Sequence, residues 1–93
     1  MTPRAMDAER FEREVTALLP ALYGAALRFT RDRTDAEDLV AETVAKAWSA
    51  LATLQEATRF RGWVFRILTN TFYAECRTRA SQPQPEPLPE EGG

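Results

Sequence analysis

Residues 58–79 read T-R-F-R-G-W-V-F-R-I-L-T-N-T-F-Y-A-E-C-R-T-R, a run with no proline and one glycine near its start. A run of this length predicts a helix of about 20 residues, roughly 30 Å long. When these residues are placed on a helix, the apolar side chains form a line along one face and a second stripe beside it. The line comprises Phe60, Val64, Ile67, Thr71 and Ala74, and the stripe comprises Phe65, Leu68 and Phe72. This broad apolar face predicts a helix around which a small domain packs.

Away from the apolar face, rings alternate with hydrogen-bonding or cationic groups. This set lies on the predicted third helix (α3, residues 58–79) and is called the α3 stripe below; it comprises Trp63, Arg66, Asn70, Tyr73 and Arg77. Arg59, Arg61 and Arg79 add charge near the ends, and Glu75 is the only acid between Arg59 and Arg79. Five arginines against one glutamate leave this segment at +4, although the whole chain carries −2. Cations beside rings are typical of single-strand binding, in which bases stack and arginines follow phosphates.

Length and composition narrow the possible functions. The 93 residues, 44% of them apolar, predict one globular domain. No apolar run approaches the ~20 residues that span a bilayer, and no signal peptide is visible, so we expect a cytoplasmic protein without membrane contact. The chain has no histidine and a single cysteine, Cys76. This composition argues against metal sites, cofactors and His-based catalysis, and therefore against an enzyme.

The N-terminal third predicts one long helical segment. Residues 1–7 are expected to be disordered, and a helical pattern runs from about Ala8 to Thr30. Its apolar face comprises Phe11, Val15, Leu18, Leu22, Ala26 and Phe29. Pro20 removes a backbone donor inside the pattern, yet the apolar phase continues across it unchanged. The prediction is one kinked helix, or two helices abutting at Pro20, without a reversal of direction.

A second helix is predicted from a capping box, with Thr34 as the N-cap and Glu37 three residues later. It is expected to end at about Leu51. The predicted buried line comprises Ala36, Val40, Thr43, Ala47 and Leu51, widened by Leu39 and Val44. The opposite line comprises Asp35, Asp38, Glu42 and Ser49. Residues 52–57 break the period and predict a short ordered loop, with Thr58 capping the third helix.

The last residues differ sharply in composition from the rest. Residues 81–93 hold four of the six prolines, three acids and no aromatic residue. Such a segment cannot build a core, so we expect a disordered or extended tail resembling an interdomain linker. The predicted folded domain is therefore 8–80, an all-α compact bundle of three to four helices.

Two of these segments together resemble a known family. D-A-E-D-L-V-A-E-T-V-A-K-A-W (35–48) is similar to the D-A-E-D-L-V-Q-E-x-F-x-x-A-W pattern of bacterial extracytoplasmic-function (ECF) sigma factors. F-R-G-W-V-F-R-I-L-T-N (60–70) is similar to their F-x-x-W-L-x-R-I-A-x-N pattern and follows at the expected distance. Both patterns belong to region 2, and the resemblance covers about residues 11–79. It departs from the family at Ala41, where glutamine is usual, and at Glu75 and Cys76, where arginines are common.

The resemblance implies a transcription initiation factor domain that binds core RNA polymerase and recognises the melted non-template strand of the minus-ten promoter element. It implies that an acidic face docks on the clamp helices of the largest polymerase subunit. The expected docking residues are Asp35, Asp38, Leu39 and Glu42. The expected DNA-binding residues are Arg59, Arg61, Trp63, Arg66, Asn70, Tyr73 and Arg77. The loop Leu54–Thr58 is expected to close over a flipped base that Asn70 reads, and an anti-sigma factor is an expected partner.

Simpler interpretations of the same residues remain open. The acidic line also fits a solvated helix face, and Trp63, at the edge of the apolar arc, fits the core equally well. A different functional class is a helical protein-interaction module without a nucleic-acid role, in which Phe65 and Phe72 bind a partner helix. Salt separates the two classes, since strand binding weakens steeply as salt rises.

Overall fold

Three α-helices form the computed structural model of the chain, which describes residues 5–81. The helices are α1 (Ala8–Thr30), α2 (Arg33–Ser49) and α3 (Phe60–Ser81). Two single-turn 3₁₀ helices, Leu51–Thr53 and Ala57–Arg59, connect α2 to α3. No strand occurs within the described range, and the prediction of an all-α bundle is confirmed.

Ring contacts fix the directions of the helices. Phe11, near the start of α1, lies 5.3 Å from Trp48, near the end of α2, so these two helices are antiparallel. Phe11 also meets Phe60 at the start of α3, with ring centroids 5.7 Å apart. At the other end of α1, Phe29 stacks on Phe72 at 4.9 Å. α1 and α3 therefore run in the same direction, and α2 returns between them.

The core consists of the predicted apolar faces, except that the buried face of α2 is rotated slightly from the predicted one. Its buried residues are Ala36, Leu39, Thr43 and Ala47. Val40 and Val44, predicted to be buried, are only half-buried at the edge of the core. Packing against both neighbours centres the buried arc of α2 on Leu39 and Thr43. The Thr43 hydroxyl donates to the Leu39 carbonyl at 2.8 Å, which satisfies the buried polar group.

α1 is a single helix that continues through Pro20. The expected absence of a reversal is therefore confirmed, and the alternative of two abutting helices is wrong. Leu22 and Ala26 are fully buried directly after the proline. Pro20 and Thr16 are exposed, so water can reach the Thr16 carbonyl that the missing proline N–H leaves without its helical partner.

The predicted capping box at the start of α2 is wrong. Asp32 is the N-cap, and its Oδ1 accepts the Asp35 N–H at 2.8 Å. The Asp32 carbonyl accepts the Ala36 N–H at 2.8 Å, which starts the helix at Arg33 and places Thr34 inside the first turn. Aspartate caps a helix at least as well as threonine. Starting α2 at Arg33 also provides an acceptor for a first-turn N–H group, which has no partner within the helix, and it shortens the connection from α1.

The segment between α2 and α3 also differs from the prediction. α2 ends at Ser49, before Leu51, and Leu51 and Leu54 are buried anchors of the connection. Thr58 lies inside the second 3₁₀ turn, and α3 begins at Phe60. Thr58 therefore does not cap α3 as predicted. The connection is a pair of tight turns fixed to the core by two leucines.

The disorder predicted for residues 1–7 does not extend to Met6 and Asp7. Met6 is buried in the core, and Asp7 caps α1 by accepting the Arg10 N–H at 2.9 Å. Residues 1–4 and most of the predicted tail (82–93) lie outside the described residues.

Candidate functional site

The α3 stripe faces away from the core, as its spacing predicts. Arg66, Asn70 and Arg77 are exposed, and Tyr73 keeps 51% of its surface accessible. Trp63 is half-buried at the start of the stripe. Two cations, an amide and two rings therefore share one side of one helix. A rigid helix presents them at fixed intervals of one turn.

Trp63 is partly in the core and partly exposed, and its contact with DNA stays a prediction. Its ring lies 5.9 Å from Phe60, which is itself buried against Phe11. Its other side lines an open cavity. The core therefore holds the indole in place while part of it remains available for stacking.

Tyr73 is held by an aromatic cluster that joins α1 to α3. Its ring centroid lies 5.6 Å from Phe72 and 6.5 Å from Phe29. Phe72 and Phe29 stack almost in parallel, at an interplanar angle of 11°. This packing limits the freedom of the Tyr73 ring, which favours stacking on a base because little side-chain entropy is lost.

A cavity of about 420 Å³ opens where the two 3₁₀ turns meet the start of α3. Its lining comprises Thr53, Leu54, Gln55, Arg59, Gly62, Trp63 and Arg66. The volume lies within the range of small-ligand sites, about 300–1,000 Å³. One ring, two guanidinium groups and one amide converge there, which suits a planar, anionic ligand such as a nucleotide.

Gly62 keeps part of the cavity open. A Cβ atom added at Gly62 would meet no atom within 4 Å. The glycine is therefore not required by close packing of the protein itself. A side chain at this position would extend into the cavity.

The structure brings together only some of the predicted DNA-binding residues. Arg59, Trp63 and Arg66 line the cavity, whereas Asn70 does not. Arg61 lies elsewhere on α3, with its guanidinium 5.0 Å from the centre of the Phe65 ring. Asn70, Tyr73 and Arg77 continue along the helix beyond the cavity. The predicted set therefore divides into a cavity, a stripe and one separate arginine.

Arg59 has an acidic neighbour at the cavity. Its Nε donates to Oε1 of Glu56 at 3.3 Å, and both side chains are more than 60% exposed. Exposed pairs of this kind contribute about 0–1 kcal/mol. Arg59 is thus held loosely and can exchange Glu56 for a phosphate at small cost.

The outer face of α2 carries the predicted acids. Asp35, Asp38 and Glu42 are exposed, but Leu39 is 1% exposed and belongs to the core. A direct docking role for Leu39 is therefore wrong, because neighbouring helices cover its side chain. Glu42 pairs with Lys46 at 3.6 Å, so an internal cation already relieves part of the acidic repulsion.

Sequence reasoning missed two residues. Trp48 is 47% exposed near the end of α2, with one side against Phe11. Its helical spacing from Ala41 and Ala45 was the available signal, because positions three and seven residues apart share a face and both alanines are exposed. Gln55 places an amide in the cavity; its position depends on the tight turns, which no periodicity indicated.

Other site classes find no support among residues 5–81. Within them, no group of three or more His, Cys, Asp or Glu residues could hold a metal ion. None of the three helices is both long and apolar enough to cross a bilayer. Cys76 is a half-buried free thiol.

Comparison with known proteins gives one family. Residues 15–82 match the family described as Sigma-70 region 2. The chain is 39% identical over 61 residues to the ECF RNA polymerase sigma factor SigG of Mycobacterium tuberculosis, covering 66% of this chain and 16% of that protein. It is 37% identical over 70 residues to the ECF RNA polymerase sigma factor SigE of Mycolicibacterium smegmatis, covering 75% and 26%. It is 30% identical over 66 residues to the ECF RNA polymerase sigma factor EcfG of Rhodopseudomonas palustris, covering 71% and 36%. The chain thus spans between about a sixth and a third of the length of these relatives.

Proposed function

Because the chain belongs to the sigma-70 region 2 family, we propose that it is the part of a bacterial transcription initiation factor that binds core RNA polymerase and recognises the melted non-template strand of the minus-ten promoter element. One observation carries the proposal: α2 and α3 turn chemically opposite surfaces outward, one acidic and one basic with rings and a cavity. The first suits a basic protein surface and the second a polyanion. The domain acts by binding, without catalysis, in the cytoplasm.

The polymerase-facing surface is the outer face of α2. Asp35, Asp38 and Glu42 supply carboxylates. Trp48 supplies a partly exposed ring near the far end of α2, about 120° around the helix from Glu42 at 100° per residue. Tryptophan is enriched among residues that dominate protein interfaces, whereas acids at a rim mainly steer a basic partner. The three acids therefore orient the partner, and Trp48 is a contact for a partner that also reaches around the end of α2.

The strand-facing surface combines the α3 stripe with the cavity. Arg66 and Arg77 hold phosphates without reading sequence, and Tyr73 stacks on a base. The cavity takes one base flipped out of the strand, with Trp63 as its wall. Gln55 reads that base, because its amide offers both a donor and an acceptor at the cavity. Asn70, outside the cavity, contacts a neighbouring nucleotide along the stripe.

The alternative protein-interaction module is not favoured. Phe65 lies under Arg61, and Phe72 is occupied by Phe29. Neither ring is among the large exposed hydrophobic side chains of residues 5–81. An anti-sigma factor remains a proposed partner, since an inhibitor that covers either surface would block function.

Filling the cavity should remove base selection at the nucleotide that enters it, without unfolding the domain. Gly62→Leu places a side chain in the open space, and Gly62→Ala a methyl group, while helix propensity improves in both by up to about 1 kcal/mol. Binding to a preferred promoter strand and to a scrambled strand is measured with core polymerase present. We expect Gly62→Leu to reduce the difference between the two binding free energies by about 1–3 kcal/mol, the value of one good base contact. Gly62→Ala should do so partially.

Gly24→Ala is the matched control for Gly62, because its added Cβ would meet only ordinary contact, 3.9 Å from an Arg28 side-chain nitrogen. It should leave strand discrimination unchanged. Full discrimination by Gly62→Leu would show that no base enters the cavity.

Phosphate binding and base reading should separate by residue. Arg66→Ala should weaken binding to every single strand alike and lower the salt slope by about 0.7, the single-strand value for one phosphate. Gln55→Ala should narrow the gap between preferred and scrambled strands, and Asn70→Ala should narrow it at a different base position. Titrations at several salt concentrations, with one-base substitutions in the strand, measure both effects. If Gln55→Ala and Asn70→Ala each lower the affinity for all strands equally, neither amide distinguishes one base from another.

A further inference from the structure

Three arginines stand together at the connection between α1 and α2. Residues 28–33 read R-F-T-R-D-R, with Arg28, Arg31 and Arg33 against the single acid Asp32. All three arginines are exposed, and no salt bridge within residues 5–81 involves them. The Asp32 carboxylate is engaged as the N-cap of α2, where its Oδ1 accepts the Asp35 N–H at 2.8 Å. This set of three arginines, called the turn cluster below, therefore forms a surface with an excess of positive charge.

We propose that the turn cluster binds phosphates of the nucleic-acid strand and continues the α3 stripe across the end of the helical bundle. The proposal rests on the proposed function, because its ligand is the strand assigned to the stripe. The turn cluster reads no base, since arginines hold phosphates irrespective of sequence.

Ring contacts connect the turn cluster with the α3 stripe. Phe29 follows Arg28 directly, and its ring centroid lies 6.5 Å from that of Tyr73. The same ring stacks on Phe72 at 4.9 Å. The end of α1, with Arg28 and Arg31, therefore lies beside the C-terminal half of the stripe. A strand whose base stacks on Tyr73 can continue from α3 onto this end of α1.

Arg31 occupies a backbone conformation that favours glycine. Its φ and ψ angles are 58° and 28°, in the left-handed region, and its N–H donates to the Leu27 carbonyl at 2.8 Å to close α1. Among residues 5–81 it is the only residue other than glycine with a positive φ. A Cβ atom in this conformation crowds the following carbonyl oxygen, and glycine is the usual residue at this end of a helix. The arginine therefore reduces the stability of the connection, and an outlier of this kind indicates a role for its side chain.

Arg33 is also placed against local stability. It is the first residue of α2, where the positive end of the helix dipole disfavours a cation. Arg28 differs, because it lies in the last turn of α1, where the dipole favours a cation and helix stability alone accounts for it. Arg31 and Arg33 are therefore the two residues that favour a binding role for the cluster. Both would be stabilised by the negative charge of a polyanion.

Substitutions in the turn cluster should change stability and strand binding in opposite directions. Arg31→Gly removes the crowded Cβ atom, so we expect the melting temperature to rise by about 2–4 °C, and Arg33→Gln should raise it by about 1–2 °C. A fluorescent oligothymidine probe is titrated with the full chain at several salt concentrations. Each variant should bind the probe about three- to tenfold more weakly at about 50 mM salt and lower the salt slope by about 0.7, the single-strand value for one phosphate.

Arg13→Gln is the charge-matched control. Arg13 is exposed, and it lies about 200° around α1 from the buried Phe11 at 100° per residue. This variant should keep the probe affinity within about twofold, because a distant exposed charge is screened. Unless both turn variants bind more weakly than Arg13→Gln, the proposal is overturned. Lower melting temperatures for Arg31→Gly and Arg33→Gln would likewise overturn it, since the arginines would then be explained by stability.

Arg66→Ala, measured in the same titration, separates this proposal from the proposed function. If Arg66→Ala weakens probe binding and the turn variants do not, the turn cluster is overturned and the proposed function stands. If only the turn variants weaken binding, the strand belongs to the turn cluster and the role of the α3 stripe is rejected. If the unchanged chain binds no probe, the turn cluster is overturned, and the Gly62 variants with core polymerase decide the proposed function.

Discussion

Leu39→Asp should unfold the domain, whereas the same change at the adjacent Val40 should leave it folded but less stable. Leu39 is 1% exposed between neighbouring helices, and Val40 is half-buried at the edge of the core. An unpaired buried carboxylate costs several kcal/mol, which approaches the whole stability of a small domain, about 5–15 kcal/mol. At Val40 the carboxylate can turn toward water, so we expect a loss of about 1–2 kcal/mol.

Far-UV circular dichroism and urea unfolding measure both changes. Ala41→Asp is the control, because Ala41 is exposed on the same helix and should tolerate the charge. A folded Leu39→Asp variant beside an unfolded Val40→Asp variant would mean that the buried arc of α2 is centred as the sequence alone indicated.

Asp38→Arg combined with Glu42→Arg should leave the fold intact and reduce polymerase binding by more than 100-fold, the scale expected when like charges replace complementary ones at several kcal/mol. Both positions are exposed, and the Glu42–Lys46 pair that would be lost has side chains about half exposed. Such a pair contributes at most about 1 kcal/mol to stability. Binding to purified core polymerase and thermal melting are measured on the same preparation.

Glu9→Arg combined with Glu12→Arg makes the matching reversal on α1, at two other exposed acids. This control should bind polymerase nearly as well as the unchanged chain. Retained binding by the α2 variant would remove the acidic face from the docking surface, and equal losses by both variants would assign the effect to net charge.

The sequence was most informative where one periodic pattern controls a whole helix. The apolar lines of α1 and α3 predicted their buried faces, and charge with rings predicted the exposed α3 stripe. The ends of the helices were harder to predict from the sequence. Asp32 and Thr34 are both good N-cap residues, and only the path of the chain between α1 and α2 decides which of them starts α2. Helical spacing likewise placed Leu39 at the buried face of α2, but Leu39 is next to Asp38 in the sequence, so spacing alone did not show that its side chain is covered and cannot reach a partner.

The cavity could be predicted least. Its lining joins Gln55, in the connection between helices, to Trp63 and Arg66 on α3. That meeting depends on two tight turns anchored by Leu51 and Leu54, a tertiary arrangement without any repeat in the sequence. The family resemblance led us to expect a base near this loop, but only the structure shows that the Gln55 amide lines the cavity there.

The contacts from Trp48 through Phe11 and Phe60 to Trp63 have an optical consequence. These are the only two tryptophans in the chain. Trp63 stands at the proposed strand-facing surface, and Trp48 lies on α2 to the side of its acidic face, each with its inner side against the core. Indole emission depends on the polarity around the ring, so each surface has a native fluorophore at it or beside it. Replacing either tryptophan with phenylalanine would leave a single reporter, and partner binding and strand binding could then be followed separately without a dye.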